Sequence, residues 1–254
     1  MNGRPAIHDE FGNEAILVFM HIPKTAGNTF LTILQKQYQW GTELHSAYPF
    51  EPVDTKTLFP GLKCVAGHHL FGLHLQLNKA YVYTTFLREP IDRVISDYYF
   101  TLPTHDMTLD QYLSVDPGDY SAYNPNDRQT RWASGINSPD LHLAVANLTA
   151  HFPVIGITEY FDESLFLMKK QFGWGDISYR SQNITSNRPT TEQMSPGQIQ
   201  RIAQSNQQDT ALYYWAVQRL RSQIAALRPD ELAQLAAFKR KQKAGGRSEN
   251  ADNR

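Results

Sequence analysis

The chain has 254 residues, of which 41% are hydrophobic and 12% aromatic. That is enough apolar surface for one buried core and too much for a disordered chain. The formal charge of −1 excludes the basic body of a nucleic-acid binder. A single cysteine, Cys64, rules out an intrachain disulfide and fits a reducing compartment.

The charge is uneven along the chain. Of 24 Lys/Arg and 25 Asp/Glu, six basic and two acidic residues fall in 239–254, leaving 18 and 23 in the rest. With Gly245-Gly246 and no apolar periodicity, 239–254 is expected to be a basic, disordered tail behind one domain at 1–238. The polar start MNGRPAIHDEFGNE is no signal peptide, and the longest apolar run, Ala15 to Met20, is too short to span a bilayer. The expectation is a soluble, cytoplasmic protein with no transmembrane segment and no nucleic-acid partner.

In chain order, residues 15–21 form a continuous apolar run, the mark of a strand buried on both faces. A turn from Pro23 to Asn28 leads into a helix at 29–38, with Phe30, Ile33, Leu34 and Tyr38 at helical spacing. Residues 62–66 read as a second strand, followed by Gly67-His68-His69. Residues 81–87 read as a third, ending at Arg88-Glu89-Pro90. Pro90 suits the first turn of a helix, which continues to about residue 101. Residues 101–135 are polar and irregular, an insertion of the kind that carries a substrate site. Residues 154–158 read as a fourth strand. Helices are expected from Asp162, from Ser195-Pro196, over 209–227 and over 229–239. Strands alternating with helices predict a three-layer α/β fold with a mostly parallel central sheet flanked by helices.

The strongest motif is His21-Ile-Pro-Lys-Thr-Ala-Gly-Asn-Thr-Phe30. It lies between a buried strand and a helix, where free N–H groups and the helix dipole favour an anion. Gly27 allows close backbone approach, Thr25 and Thr29 supply hydroxyls, and Lys24 supplies positive charge. Against the triphosphate-loop pattern G-x-x-x-x-G-K-[ST], Ile22 stands at the first glycine and Asn28 at the lysine, so only Gly27 and Thr29 match. The third strand ends in Arg88 rather than in an acid that could hold Mg²⁺. His68, His69 and His74 lack the further ligand spacing of a zinc site, so no metal is expected.

The segment HIPKTAGNTF resembles the 5′-phosphosulfate loop of the sulfotransferase family that includes heparan sulfate 2-O-sulfotransferase and bacterial carbohydrate sulfotransferases. FLREPIDRVISDYYF, at 86–100, resembles the same family's 3′-phosphate segment. Weaker likenesses at Gln129-Thr-Arg131, 154–165, 183–189 and 206–216 extend the resemblance over about residues 15–220. It implies a P-loop-like fold. It also implies a cosubstrate, 3′-phosphoadenosine 5′-phosphosulfate (PAPS), whose product is the bisphosphate PAP, and a hydroxyl-bearing acceptor, by resemblance a saccharide.

Carried over by position, Lys24, Thr25, Ala26, Gly27, Asn28, Thr29 and Phe30 would hold the 5′-phosphosulfate, and Arg88 and Ser96 the 3′-phosphate. Arg131, Asn183, Ser186 and Arg188 lie in polar segments as further contacts to the nucleotide, Arg131 alternatively to an acidic acceptor. Sulfuryl transfer needs a base on the acceptor side and a cation on the leaving side. Lys24 fits the second role. His68 fits the first, since Ala66-Gly67-His68 aligns with a family His-Gly-His element whose second histidine is a catalytic base. Ala66 departs from that element, so a heparan-type acceptor is not implied, and His69 is the alternative base. His21 is expected to order the loop. Two other readings stand beside this one: a nucleotide-dependent kinase with an atypical phosphate loop, and a noncatalytic glycan- or nucleotide-binding module. The pairing of Arg88 with Ser96 opposes the kinase, because ATP has no 3′-phosphate.

Overall fold

A computed structural model describes residues 7–8, 11–47, 61–77, 79–104, 106–114, 124–180 and 188–248. The four expected strands are β1 (Ile16–Met20), β3 (Cys64–Gly67), β4 (Tyr81–Leu87) and β5 (Val154–Ile157), joined by a short β2 (Leu44–Ala47). The sheet order is β2-β3-β1-β4-β5 and every pairing is parallel. All five residues of β1 are buried, as a strand covered on both faces requires. The two polar residues inside β4 find partners across the sheet. Thr84 Oγ1 donates to the Val154 carbonyl at 3.1 Å and Thr85 Oγ1 to the Met20 carbonyl at 2.7 Å.

Parallel strands need crossovers; helices supply those from β1 to β2 and from β4 to β5, and further helices follow the last strand. The helices are α1 (Gly27–Gln37), α2 (Pro90–Thr101), α3 (Leu109–Leu113), α4 (Arg128–Ser134), α5 (Leu141–His151), α6 (Phe161–Phe172), α7 (Pro196–Gln204), α8 (Gln207–Ala225) and α9 (Pro229–Ser248). The three-layer α/β expectation therefore holds, with an all-parallel sheet. Among the described residues no helix is long and apolar enough to cross a membrane.

Several details differ from the sequence reading. Helix α1 begins at Gly27, so the end of the expected turn is already its first turn. The insertion at 101–135 contains α3 and α4. Helix α5 buries only Ala144 and Leu148, which leaves almost no amphipathic signature to read. Helix α9, expected to end at Lys239, continues to Ser248. Ion pairs of Lys170 with Glu231 at 2.8 Å and of Lys239 with Glu163 tie it to α6.

Register decides where the site lies. Met20, the last residue of β1, stands opposite Gly67 on β3 and Thr85 on β4. The three strands run the same way, so the loop after β1, His68 after β3 and Arg88 after β4 emerge on one edge. The strand order reverses around β1, and open α/β sheets bind ligands at such a switch point.

Candidate functional site

The loop after β1 is a tight turn into α1. Lys24 and Ala26 both adopt left-handed backbone conformations, φ 68°, a strain of about 1–2 kcal/mol each for residues with a Cβ. Thr25 Oγ1 braces the turn by donating to the Ile22 carbonyl at 2.8 Å. Ala26 is the N-cap of α1 and offers no side-chain cap. The N–H groups of the first turn are thus left without a capping side chain, at the positive end of the helix dipole. Asn28 is exposed there, and Thr29 is buried beside it. Phe30 belongs to the core instead, against Phe19 (4.6 Å between centroids), Phe86 (5.0 Å) and Trp174 (5.8 Å), so only its backbone can serve the loop.

The loop rests on His21. A Cβ on Gly27 would lie 1.9 Å from His21 Cδ2 and Nε2. Glycine here makes room for that ring as well as for a ligand. The ring stacks on Phe19 at 5.5 Å and on His68 at 4.2 Å. Burial, reinforced by the neighbouring His68, His69 and Lys24, pulls its pKa down to about 3. His21 is a neutral structural ring beneath the loop.

His68 emerges from β3 beside it. Its Nδ1 lies 2.8 Å from the His21 carbonyl. A carbonyl only accepts, so the neutral ring carries its proton on Nδ1 and its lone pair on Nε2. Trp132 of α4 packs edge-on at 6.0 Å. Burial lowers the pKa of His68, against the opposing effect of the His21 carbonyl. His69 is packed into the interior. Its Nδ1 meets the Leu70 carbonyl at 3.0 Å, its Nε2 is buried with no partner, and burial brings its pKa down to about 4. His74 stacks on Tyr81 at 4.2 Å, at the opposite end of β4 from Arg88. Among the described residues no group of three or more His, Cys, Asp or Glu could hold a metal ion.

A second cationic centre lies at the end of β4. The main chain of Arg88 is clamped at both polar atoms by the Gln129 side-chain amide, at 2.8 and 3.0 Å. Its guanidinium donates from Nε to Asp92 Oδ2 at 2.9 Å, from Nη2 to the same oxygen, and from Nη1 to the Lys24 carbonyl at 3.0 Å. Arg188 reaches the same carboxylate, Nη1 to Oδ1 at 2.6 Å and Nη2 to Oδ2 at 3.3 Å. Burial raises the Asp92 pKa, but the two arginines outweigh it and the net shift is downward. Ser96, buried, follows Asp92 by one helical turn on the same face of α2. Phe100 follows by another turn, and its ring lies beneath Lys24 Nζ at 3.7 Å. Burial lowers the Lys24 pKa, with Asp97 opposing and Arg88 and Arg188 adding to it.

The structure thus links Lys24, Arg88 and Arg188 through the Lys24 carbonyl and the Asp92 carboxylate, with Ser96 one helical turn beyond Asp92 and His68 stacked on His21 beside the loop. Arg131 is held by its own segment. It is buried, with Nη2 on the Asn126 carbonyl at 2.8 Å and Nε without a partner. It lies near a charge cluster in which Asp97 pairs with Arg128 and with Arg93 at 3.5 Å. Asn183 and Ser186 lie outside the described residues. Sequence reasoning missed Asp92 and Phe100. The signal for both was present: Asp92, Ser96 and Phe100 recur every four residues along α2, and Arg88 stands four residues before Asp92.

The buried parallel sheet, the strand–loop–helix turn with its lysine at the front, and Arg88 directly after β4 are the features against which known proteins are compared. The chain belongs to the sulfotransferase family, whose model matches residues 13–216. Solved structures similar to it include mouse sulfotransferase SULT7A1 complexed with PAP. That likeness has 12% identity over 79% of this chain and 66% of the mouse chain, with a TM-score of 0.40. They also include a sulfotransferase from Alicyclobacillus acidocaldarius, 13% identical over 84% of this chain and 97% of that one, TM-score 0.45. No curated protein matches by sequence.

Proposed function

We propose that this sulfotransferase takes its sulfuryl group from PAPS and delivers it to an acceptor hydroxyl, a carbohydrate hydroxyl being favoured by the motif resemblance. The observation that carries the reading is the presence of two cationic centres on one edge of the sheet, with a neutral histidine beside them. The uncapped start of α1 with Lys24 suits the 5′-phosphosulfate, and the Arg88–Arg188 pair with Ser96 suits the 3′-phosphate. Bound there, PAPS supplies a sulfuryl group on a phosphate leaving group.

This chain's residues would do the rest. His68 Nε2 accepts the acceptor's proton as the acceptor oxygen bonds to sulfur. Lys24 and the α1 N–H groups offset the negative charge that grows on the departing phosphate oxygen as its bond to sulfur breaks. The proton leaves His68 to solvent afterwards. In this reading 1–238 is the catalytic domain, 239–254 is a basic extension, and the single buried Cys64 is compatible with a reducing cytoplasm.

The kinase alternative is disfavoured by the same edge, where β4 is followed by Arg88 and β3 by His68, and where the carboxylate of Asp92 is taken up by Arg88 and Arg188. The deciding experiment is incubation with labelled PAPS and pools of candidate acceptors, read as the mass gain of one sulfate. Tighter binding of ATP–Mg²⁺ than of PAP would overturn the donor assignment.

A further inference from the structure

We propose that Asp92 is the positioning residue of the donor clamp. Its carboxylate holds the guanidinium groups of Arg88 and Arg188 together, so that both aim their remaining N–H groups at the nucleotide's 3′-phosphate. The proposal rests on the PAPS reading above and goes one step beyond it, to the residue that assembles the clamp.

Arg88 directly follows β4, whereas Arg188 lies outside any helix or strand, on the far side of the chain's middle third. Two guanidinium groups at one mouth repel. A carboxylate between them turns the repulsion into a bridge, and here it does so with both oxygens. Among the described residues the hydrogen bonds of Arg188 go to Asp92, including a long one from Nη1 to the main-chain carbonyl at 3.4 Å.

Asp92 is itself rigid. It sits in the first turn of α2 behind Pro90, its N–H donates to Glu89 Oε2 at 2.7 Å, and the helix dipole favours its ionised form. Arg88 spends Nε and one hydrogen of Nη2 on Asp92, and one hydrogen of Nη1 on the Lys24 carbonyl. The hydrogens left over belong to the Nη1/Nη2 end of the fork, the geometry that takes a phosphate in two parallel bonds. The same contact to the Lys24 carbonyl links the clamp to the 5′ loop.

The test is calorimetric titration of the full chain with PAP and with adenosine 5′-phosphate, which lacks the 3′-phosphate, alongside steady-state kinetics. Wild type is expected to prefer PAP. Asp92→Asn should weaken PAP by about 10- to 100-fold, the loss of a charge-assisted contact. It should weaken adenosine 5′-phosphate by less than about 3-fold, and raise the Michaelis constant for PAPS far more than it lowers kcat. Asp92→Glu, which keeps the charge on a longer arm, should restore part of the preference. On an Arg88→Ala/Arg188→Ala background, Asp92→Asn should change PAP binding no further.

If wild type itself does not discriminate PAP from adenosine 5′-phosphate, the donor reading fails first. If wild type discriminates and Asp92→Asn keeps the ratio, or binds PAP more tightly, the clamp proposal is overturned. Should Asp92→Asn not fold, Arg188→Ala leaves α2 untouched and carries the test. An unchanged PAP preference in that variant overturns the proposal equally.

Discussion

The Nδ1 atom of His68 lies 2.8 Å from the main-chain carbonyl of His21. The contact exists because β3 and β1 pair in parallel with Gly67 opposite Met20, so the residues that follow each strand emerge side by side. It sets the tautomer of His68 and leaves Nε2 as the basic atom.

His68→Ala is therefore expected to slow turnover by about 10²–10⁴-fold, the usual worth of a general base, while PAP affinity changes little. His69→Ala should behave oppositely, losing stability with kcat nearly intact per folded molecule, because His69 is packed in the interior. Single-turnover rates and denaturant midpoints separate the two. Near wild-type turnover in His68→Ala at every pH would show that His68 is structural.

Lys24→Ala should lower kcat more than it weakens PAPS binding, because the charge that Lys24 offsets grows in the transition state. Phe100→Leu removes only the ring beneath the ammonium. A cation–π contact at an exposed site contributes about 0.5–1 kcal/mol, so turnover should fall just a few-fold and Phe100→Tyr should recover it. A raised Michaelis constant with unchanged kcat in Lys24→Ala would make Lys24 a ground-state phosphate anchor.

Gly27→Ala places a Cβ 1.9 Å from the His21 ring. That ring is sandwiched by Phe19 and His68 and has little room to give. Overpacking of this kind costs about 1–3 kcal/mol, and here it also pushes on His68. Lower stability and weaker PAP binding are expected together. His21→Ala in the same chain opens space and should return part of the lost stability in a urea titration.

Acid should destabilise the fold through its buried neutral histidines. His21 and His69 have folded-state pKa values of about 3 and about 4, below the unfolded value of about 6.5. As pH falls below about 6.5 the unfolded chain takes up protons that the fold refuses, so stability drops until the folded values are reached. Each such histidine contributes a slope of up to about 1.4 kcal/mol per pH unit. Unfolding free energy measured between pH 7 and 4.5 should show this fall, and His69→Phe should flatten it by about one histidine's worth. An unchanged slope would mean that His69 becomes protonated within the fold.

Four of the five strands were legible in the residues alone: 15–20 is continuously apolar, as a strand buried on both faces requires, and 62–66, 81–87 and 154–158 are short runs rich in apolar, β-branched or aromatic residues. The loop between the first strand and its helix was legible too, from a lysine, a glycine and two threonines at that junction. Short β2 carries no such run, and weakly amphipathic α5 carries no clear period, so neither was legible. Which histidine faces the loop was not legible either. His68 and His69 are adjacent in the chain, and only the pairing of β3 with β1 decides that one meets the His21 carbonyl and the other turns inward. The arginine clamp needed the tertiary structure most. Arg188 is held by Asp92, 96 positions away in the chain. Spacing along a helix can place Asp92 beside Arg88, but an ion pair between distant segments is a property of folded space, where charge and distance in three dimensions decide the partner.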